Sequence, residues 1–82
     1  MTALDMALAD LESQPWGVRC RFEIRREGGR ATIHCGGMQI GVSDLGDGRV
    51  EVIYEHALHE VTREQLQPAV AGQLLLALVQ RE

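Results

Sequence analysis

Two periods of hydrophobicity divide the chain. Between Val18 and Tyr54 apolar residues return at every second position, and on either side of that stretch they return at every third and fourth. The first period belongs to strands with one covered face, the second to helices. In Thr2–Gln14, Leu4, Ala7, Leu8 and Leu11 form a single apolar stripe. Thr2 offers a capping hydroxyl and Asp5 a carboxylate for the positive helix end. Pro15 stops the helix, because the residue before a proline avoids helical geometry. Trp16-Gly17 is the expected joint, with Trp16 plugged between helix and sheet, or, as the alternative, exposed as a binding anchor.

Val18–Glu27 alternates: Val18, Cys20, Phe22 and Ile24 face one way, and Arg19, Arg21, Glu23 and Arg25 the other. Glu27-Gly28-Gly29-Arg30 reads as a hairpin turn. Ala31, Ile33 and Cys35 continue the inner face, with Thr32 and His34 outward. Gly36-Gly37 is a second turn or a bulge. Met38, Ile40 and Val42 carry a third strand that ends near Leu45. Gly46-Asp47-Gly48 turns the chain into Arg49–Glu55, where Val50, Val52 and Tyr54 share a face and Ile53 lies opposite. His56–Val61 leads into the last segment.

Thr62–Glu82 contains the longest apolar run, Leu74-Leu75-Leu76-Ala77-Leu78-Val79. Thr62 with Gln65 resembles a capping box, but Pro68 lacks the N–H that a continuous helix needs. The expectation is a first turn over Arg63–Gln67 that breaks, followed by a main helix with Pro68 at its first position. Gly72 leaves room there for another backbone. Leu66, Val70, Leu74 and Leu78 make one stripe; Ala71, Leu75 and Val79 make a second. Together they exceed the band of about 100° that an ordinary surface helix buries. A domain of this size covers only about 60–65% of its unfolded surface. The second stripe, Ala71, Leu75 and Val79, is therefore expected to meet another chain, as the interface of a homodimer or with a foreign partner; the alternative is a helix wrapped deeply in the core.

The fold class that follows is α+β, in the order α-β-β-β-β-α. An antiparallel β-meander of four strands, or three if Gly36-Gly37 is a bulge, carries the N- and C-terminal helices on one face. Residues 1–82 make one domain. The other sheet face stays wet and bears Arg19, Arg21, Glu23, Arg25, Thr32, His34, Gln39, Ser43 and Glu51.

Charge narrows the partners. The chain has a net charge of -4, and all 8 of its basic residues are arginine. An acidic balance opposes non-specific binding to nucleic acid or to an anionic membrane. Met1–Leu11 carries Asp5 and Asp10 and lacks the basic start of a signal peptide. The C-terminal apolar run is too short to cross a bilayer. A cytoplasmic protein is expected.

Candidate chemistry is sparse. Cys20, Cys35, His56 and His59 are residue types that bind zinc, but no CxxC pair exists. Both cysteines fall on the inner strand face, where a thiol behaves as a small hydrophobe. Glu55-His56-Ala57-Leu58-His59-Glu60 does not place two histidines around a glutamate as a zinc protease requires. Ser13 and Ser43 sit in no triad context, and the glycine pairs lack a phosphate-loop lysine. No enzyme activity and no cofactor are expected. Arg19, Arg21 and Arg25 share one strand face without an aromatic residue to stack bases. Glu23, Glu27 and Glu51 dilute their charge, so pairing across strands, or contact with an acidic patch on a partner protein, is the expected role.

From Met38 to Val79, the succession of strand, Gly-Asp-Gly turn, strand, connector and leucine-rich helix resembles the outline of bacterial secretion chaperones. Those proteins are small, acidic and dimeric. Size and acidity also resemble phage-encoded inhibitors of host defence complexes. Both resemblances imply a small non-enzymatic protein-interaction module, an inhibitor or adaptor of a larger complex, working as a homodimer. The alternative is a small metal- or ligand-binding protein that uses His56, His59 and a cysteine.

Overall fold

Capping sets the start of the first helix, α1 (Ala3–Glu12). In the computed structural model, which describes residues 2–13, 21–55 and 60–81, the Asp5 N–H donates to Thr2 Oγ1 at 3.1 Å and the Thr2 N–H donates back to Asp5 Oδ2 at 3.0 Å. This reciprocal box satisfies two N–H groups that the helix itself leaves without partners. Leu4, Ala7, Leu8 and Leu11 are all buried, as their spacing predicts. The predicted stop at Pro15, the Trp16-Gly17 joint and the strand residues Val18, Arg19 and Cys20 lie outside the described residues.

Five strands follow in simple order: β1 (Phe22–Glu27), β2 (Arg30–Cys35), β3 (Met38–Asp44), β4 (Val50–Glu55) and β5 (Val61–Leu66). All pairs are antiparallel, and the sheet order is β1-β2-β3-β4-β5. Glu27 stands opposite Arg30, and Cys35 opposite Met38, so each of the first two connections is a two-residue hairpin loop. Gly36-Gly37 is thus a turn, and the bulge alternative falls. Gly28 has φ +60° and Gly36 +56°, with no positive φ at Gly29 or Gly37. Positive φ at the first central position alone marks a type II′ turn, whose twist matches that of the flanking strands. In the β3–β4 loop Asp47 accepts from the Arg49 N–H at 3.1 Å and from its guanidinium at 2.7 Å. That hydrogen bonding lowers the Asp47 pKa and raises that of Arg49.

The fifth strand corrects the expectation at Thr62. Val61–Leu66 does not begin a helix; it pairs with β4 from Glu55↔Val61 to Val50↔Leu66. Thr62, Glu64 and Leu66 face the helices half-buried, while Val61, Arg63 and Gln65 are exposed. A strand at the sheet edge needs little apolar content on its inner side, so its period of two is hidden among polar residues. The break before the helix is as expected. Proline at position 68 pushes Gln67 out of helical geometry, and α2 (Pro68–Arg81) starts with Pro68. The Ala71 N–H closes the first turn on the Gln67 carbonyl at 2.9 Å.

The rotation of α2 is the second correction. Ala71, Leu75 and Val79, expected to face another chain, are each 0% exposed within the single chain. Leu78 is buried beside them, Leu74 is half-buried, and Val70 is 50% exposed. The helix is turned about one residue from the predicted setting, since apolar residues on several sides leave rotation undetermined by periodicity alone. Gly72 settles it by facing α1. A Cβ added there would stand 2.7 Å from the Asp10 Cβ and 2.9 Å from its Cγ. The two helices pack side by side over β3 and β4. With Ala31, Ile33, Cys35, Ile40, Val42, Val50, Val52 and Tyr54 they enclose one core.

Two polar tethers tie the helix layer to the sheet. Asp5 forms an ion pair with Arg26 of β1 at 2.5 Å. Asp44 accepts from the Leu4 N–H at 3.5 Å, placing a carboxylate at the N-terminus of α1.

Replacing Gly72 with alanine is expected to destabilise the fold by about 1–3 kcal/mol through overpacking, despite alanine's better helix propensity. Chemical denaturation measures it, and Gly72→Ala/Asp10→Gly, which removes the opposing Cβ, is expected to recover most of the loss. The Asp5 pKa is lowered from 3.8 to about 2, first by the backbone hydrogen bond from Thr2 and then by the side-chain hydrogen bond from Arg26. A depressed folded-state pKa means that the stabilisation is present above the unfolded value and disappears as pH falls from about 4 toward 2. Thermal melts across that window are expected to show a shallower decline for Asp5→Asn than for the wild type.

Candidate protein-binding face

The helices cover one side of the sheet, so every second residue of each strand points away from them. Register arranges these outward residues in rows. Arg25, Thr32, Gly41, Ile53 and Arg63 stand opposite one another from β1 to β5. A neighbouring row runs through Glu27, Arg30, Ser43, Glu51 and Gln65, and on the other side lie Glu23, His34 and Gln39. Residues directly opposite on one face have Cβ atoms about 5 Å apart, so each row is a continuous surface.

Gly41 interrupts the middle row. With no side chain at that point, the face sinks into a hollow of about 470 Å³. Thr32, Ser43, Gln39 and His34 line it with polar residues, and Ile53 is an apolar member of the lining. Arg25, Arg30 and Glu27 form the side nearest the first hairpin. Among the described residues neither Arg25 nor Arg30 takes part in an ion pair. Arg25 faces Thr32 and not an acid. Cross-strand pairing, expected for the arginines of this strand, is therefore not what Arg25 does. Arg26, on the helix side of β1, pairs with Asp5 instead. Two guanidinium groups, two hydroxyls and an amide at a notch can receive a carboxylate and its neighbouring amides, with guanidinium–carboxylate contact as the strongest element.

Of the residues predicted to contact a partner, Arg25 lines the hollow. Arg21 is exposed immediately before β1, and Arg19 lies outside the described residues. Ala71, Leu75 and Val79, on the opposite layer, are core residues. Ile53, expected opposite Val50, Val52 and Tyr54, lies on this face; Arg30 and Gly41 were missed as members of it, although their outward parity was readable once β2 and β3 were placed. A glycine at an outward strand position, flanked by polar residues of matching parity, is the signal that marks the notch.

The alternative cysteine–histidine site is not assembled among the described residues. Cys35 is 1% exposed on the inner face, and its thiol donates to the Val79 carbonyl at 3.7 Å. Its cross-strand partner is Phe22. Cys20, His56 and His59 lie outside the described residues. No cluster of three or more potential metal-binding side chains occurs among those described. No helix among them is long and apolar enough to cross a membrane. No protein-family model, curated protein or solved structure matches this chain.

In a Cys20→Ser variant, Cys35 is expected to resist an aromatic disulfide reagent until denaturant unfolds the sheet. Absorbance at the released thiolate follows the reaction, and rapid labelling in native buffer would contradict the burial.

Proposed function

We propose that the protein is a small non-enzymatic interaction module, an adaptor or inhibitor that holds an acidic segment of another protein on the open face of its sheet. The observation that carries this reading is the hollow at Gly41, set in the bare side of a five-stranded sheet. Its composition selects the class of partner. Arg25 and Arg30 make the lining locally cationic against the single carboxylate of Glu27, on a chain whose net charge is -4. Hydroxyl and amide groups beside the arginines suit the backbone of an extended segment, and Ile53 suits an apolar side chain next to the acidic one. Interfaces built in this way depend on a few anchors within a surface that is otherwise polar.

An NMR titration of labelled protein with a short synthetic Glu/Leu peptide tests the reading. Amide shifts are expected at Arg30, Thr32, Gly41 and Ile53. Gly41→Leu fills the notch at little structural expense, because the nearest atom to an added Cβ is the Ile53 carbonyl at 4.0 Å. This variant is expected to keep its melting temperature and to weaken peptide affinity roughly ten-fold or more. Shifts confined to the helices, or affinity unchanged by Gly41→Leu, would overturn the assignment.

A further inference from the structure

We propose that the outer edge of β1 binds a second copy of this chain, joining two sheets into one. The two free edges of the sheet differ. On the helix side of β5 stand Thr62, Glu64 and Leu66, whereas on that side of β1 stand Phe22 and Ile24, both half-buried, followed by Arg26. The helices pack chiefly against β3 and β4, and Phe22 and Ile24 at the margin of the core are covered only in part. The edge itself is unpaired among the described residues.

The charge order along β1 selects the occupant. Antiparallel pairing of β1 with itself, centred on Ile24, sets Glu23 opposite Arg25 of the second copy and Arg25 opposite its Glu23. One step further out, Arg21 meets Glu27. Every outward position in this register therefore meets its opposite charge. On the helix side Ile24 meets Ile24, and Phe22 lies against the stem of Arg26, whose guanidinium Asp5 already holds. Moving the centre by one residue, to Glu23 or to Arg25, sets glutamate against glutamate and arginine against arginine on the same face. Like charges directly opposite are destabilising, so only one of these neighbouring registers is permitted. Charged edge strands ordinarily prevent pairing; in the Ile24-centred register the charges of this one are matched. The free edge of β5 has no such order: centred on Arg63 it opposes Arg63 to itself, centred on Glu64 it opposes Glu64 to itself, and centred on Thr62 it opposes Glu60 to Glu64.

The backbone agrees with the side chains. A two-residue loop makes Glu27 and Arg30 a mutually hydrogen-bonded pair, and the alternation of an antiparallel ladder then turns the N–H and C=O groups of Phe22, Ile24 and Arg26 toward the open edge. In the Ile24-centred register these are the groups that meet their counterparts in the second copy. Glu23 and Arg25 fall at the positions without hydrogen bonds, where opposing side chains are closest. The contact is two-fold and closes on itself, giving a dimer and no fibre. It shares Arg25 with the lining of the notch at Gly41 but rests on none of the reasoning about what that notch binds.

Sedimentation equilibrium at moderate salt tests the proposal. The wild type is expected at twice the 9.1 kDa of the chain. Glu23→Arg and Arg25→Glu, each alone, are expected to raise the dimer dissociation constant roughly ten-fold or more, since every dimer then contains like charges in opposition. Both residues are exposed, and circular dichroism confirms that each variant folds. An equimolar mixture of the two variants restores the opposite charges and is expected to recover the double mass as a heterodimer. A monomeric wild type at high micromolar concentration overturns the proposal. So does a dimer indifferent to both reversals, or a mixture that stays monomeric while both variants are folded.

Discussion

The close approach of α2 to α1 at Gly72 governs the rest of the architecture. Two helices in ordinary contact lie 8–10 Å apart, about the width of two strands. With Gly72 facing Asp10, they form a narrow layer over β3 and β4. A sheet of five strands is wider than that layer. Ile33, Ile40, Val42, Val50 and Val52 beneath its centre are fully buried, whereas Phe22 and Ile24 on one edge and Leu66 on the other are half-buried. The oily surplus of the C-terminal helix is absorbed by α1 and the sheet. What remains bare is strand, at the edges and on the far face.

Electrostatics follows from the same geometry. Where helix and sheet margins meet, charges are engaged: Asp5 with Thr2 and Arg26, and Asp44 with the start of α1. On the far face, residues of both signs stand in open rows, and Arg25 and Arg30 have no ion-pair partner among the described residues. Exposed pairs of this kind contribute little to stability. Their value lies in choosing what approaches, because complementary charge sets register and partner more than it sets affinity.

Legibility from the sequence differed by element. Helix α1 was readable to within a residue or two because its stripe, its capping hydroxyl and its first-turn carboxylate are local. Strands β1 to β4 were readable because each alternates and each is bounded by glycine. Strand β5 was not. Val61-Thr62-Arg63-Glu64-Gln65-Leu66 contains a plausible helix cap, and its inward side carries threonine and glutamate, so neither period stands out. The Tyr54 hydroxyl, which donates to Glu64 at 3.5 Å, gives one of those inward polar groups a partner that only strand pairing supplies. In the candidate face, the polar residues were assigned outward by parity, while the depression among them went unseen.

Local stereochemistry therefore settled the alternation of the strands, the turn at Gly28-Gly29, the capping of α1 and the start of α2 at Pro68. These depend on neighbours in the chain, and neighbours are what a sequence records. Folding in three dimensions settled the rotation of α2, the recruitment of Val61–Leu66 into the sheet and the notch at Gly41. Each of these depends on which distant surface is near enough to be buried against. A helix that is apolar on several sides, and an edge strand that is polar on both, contain no such information until the rest of the molecule is in place.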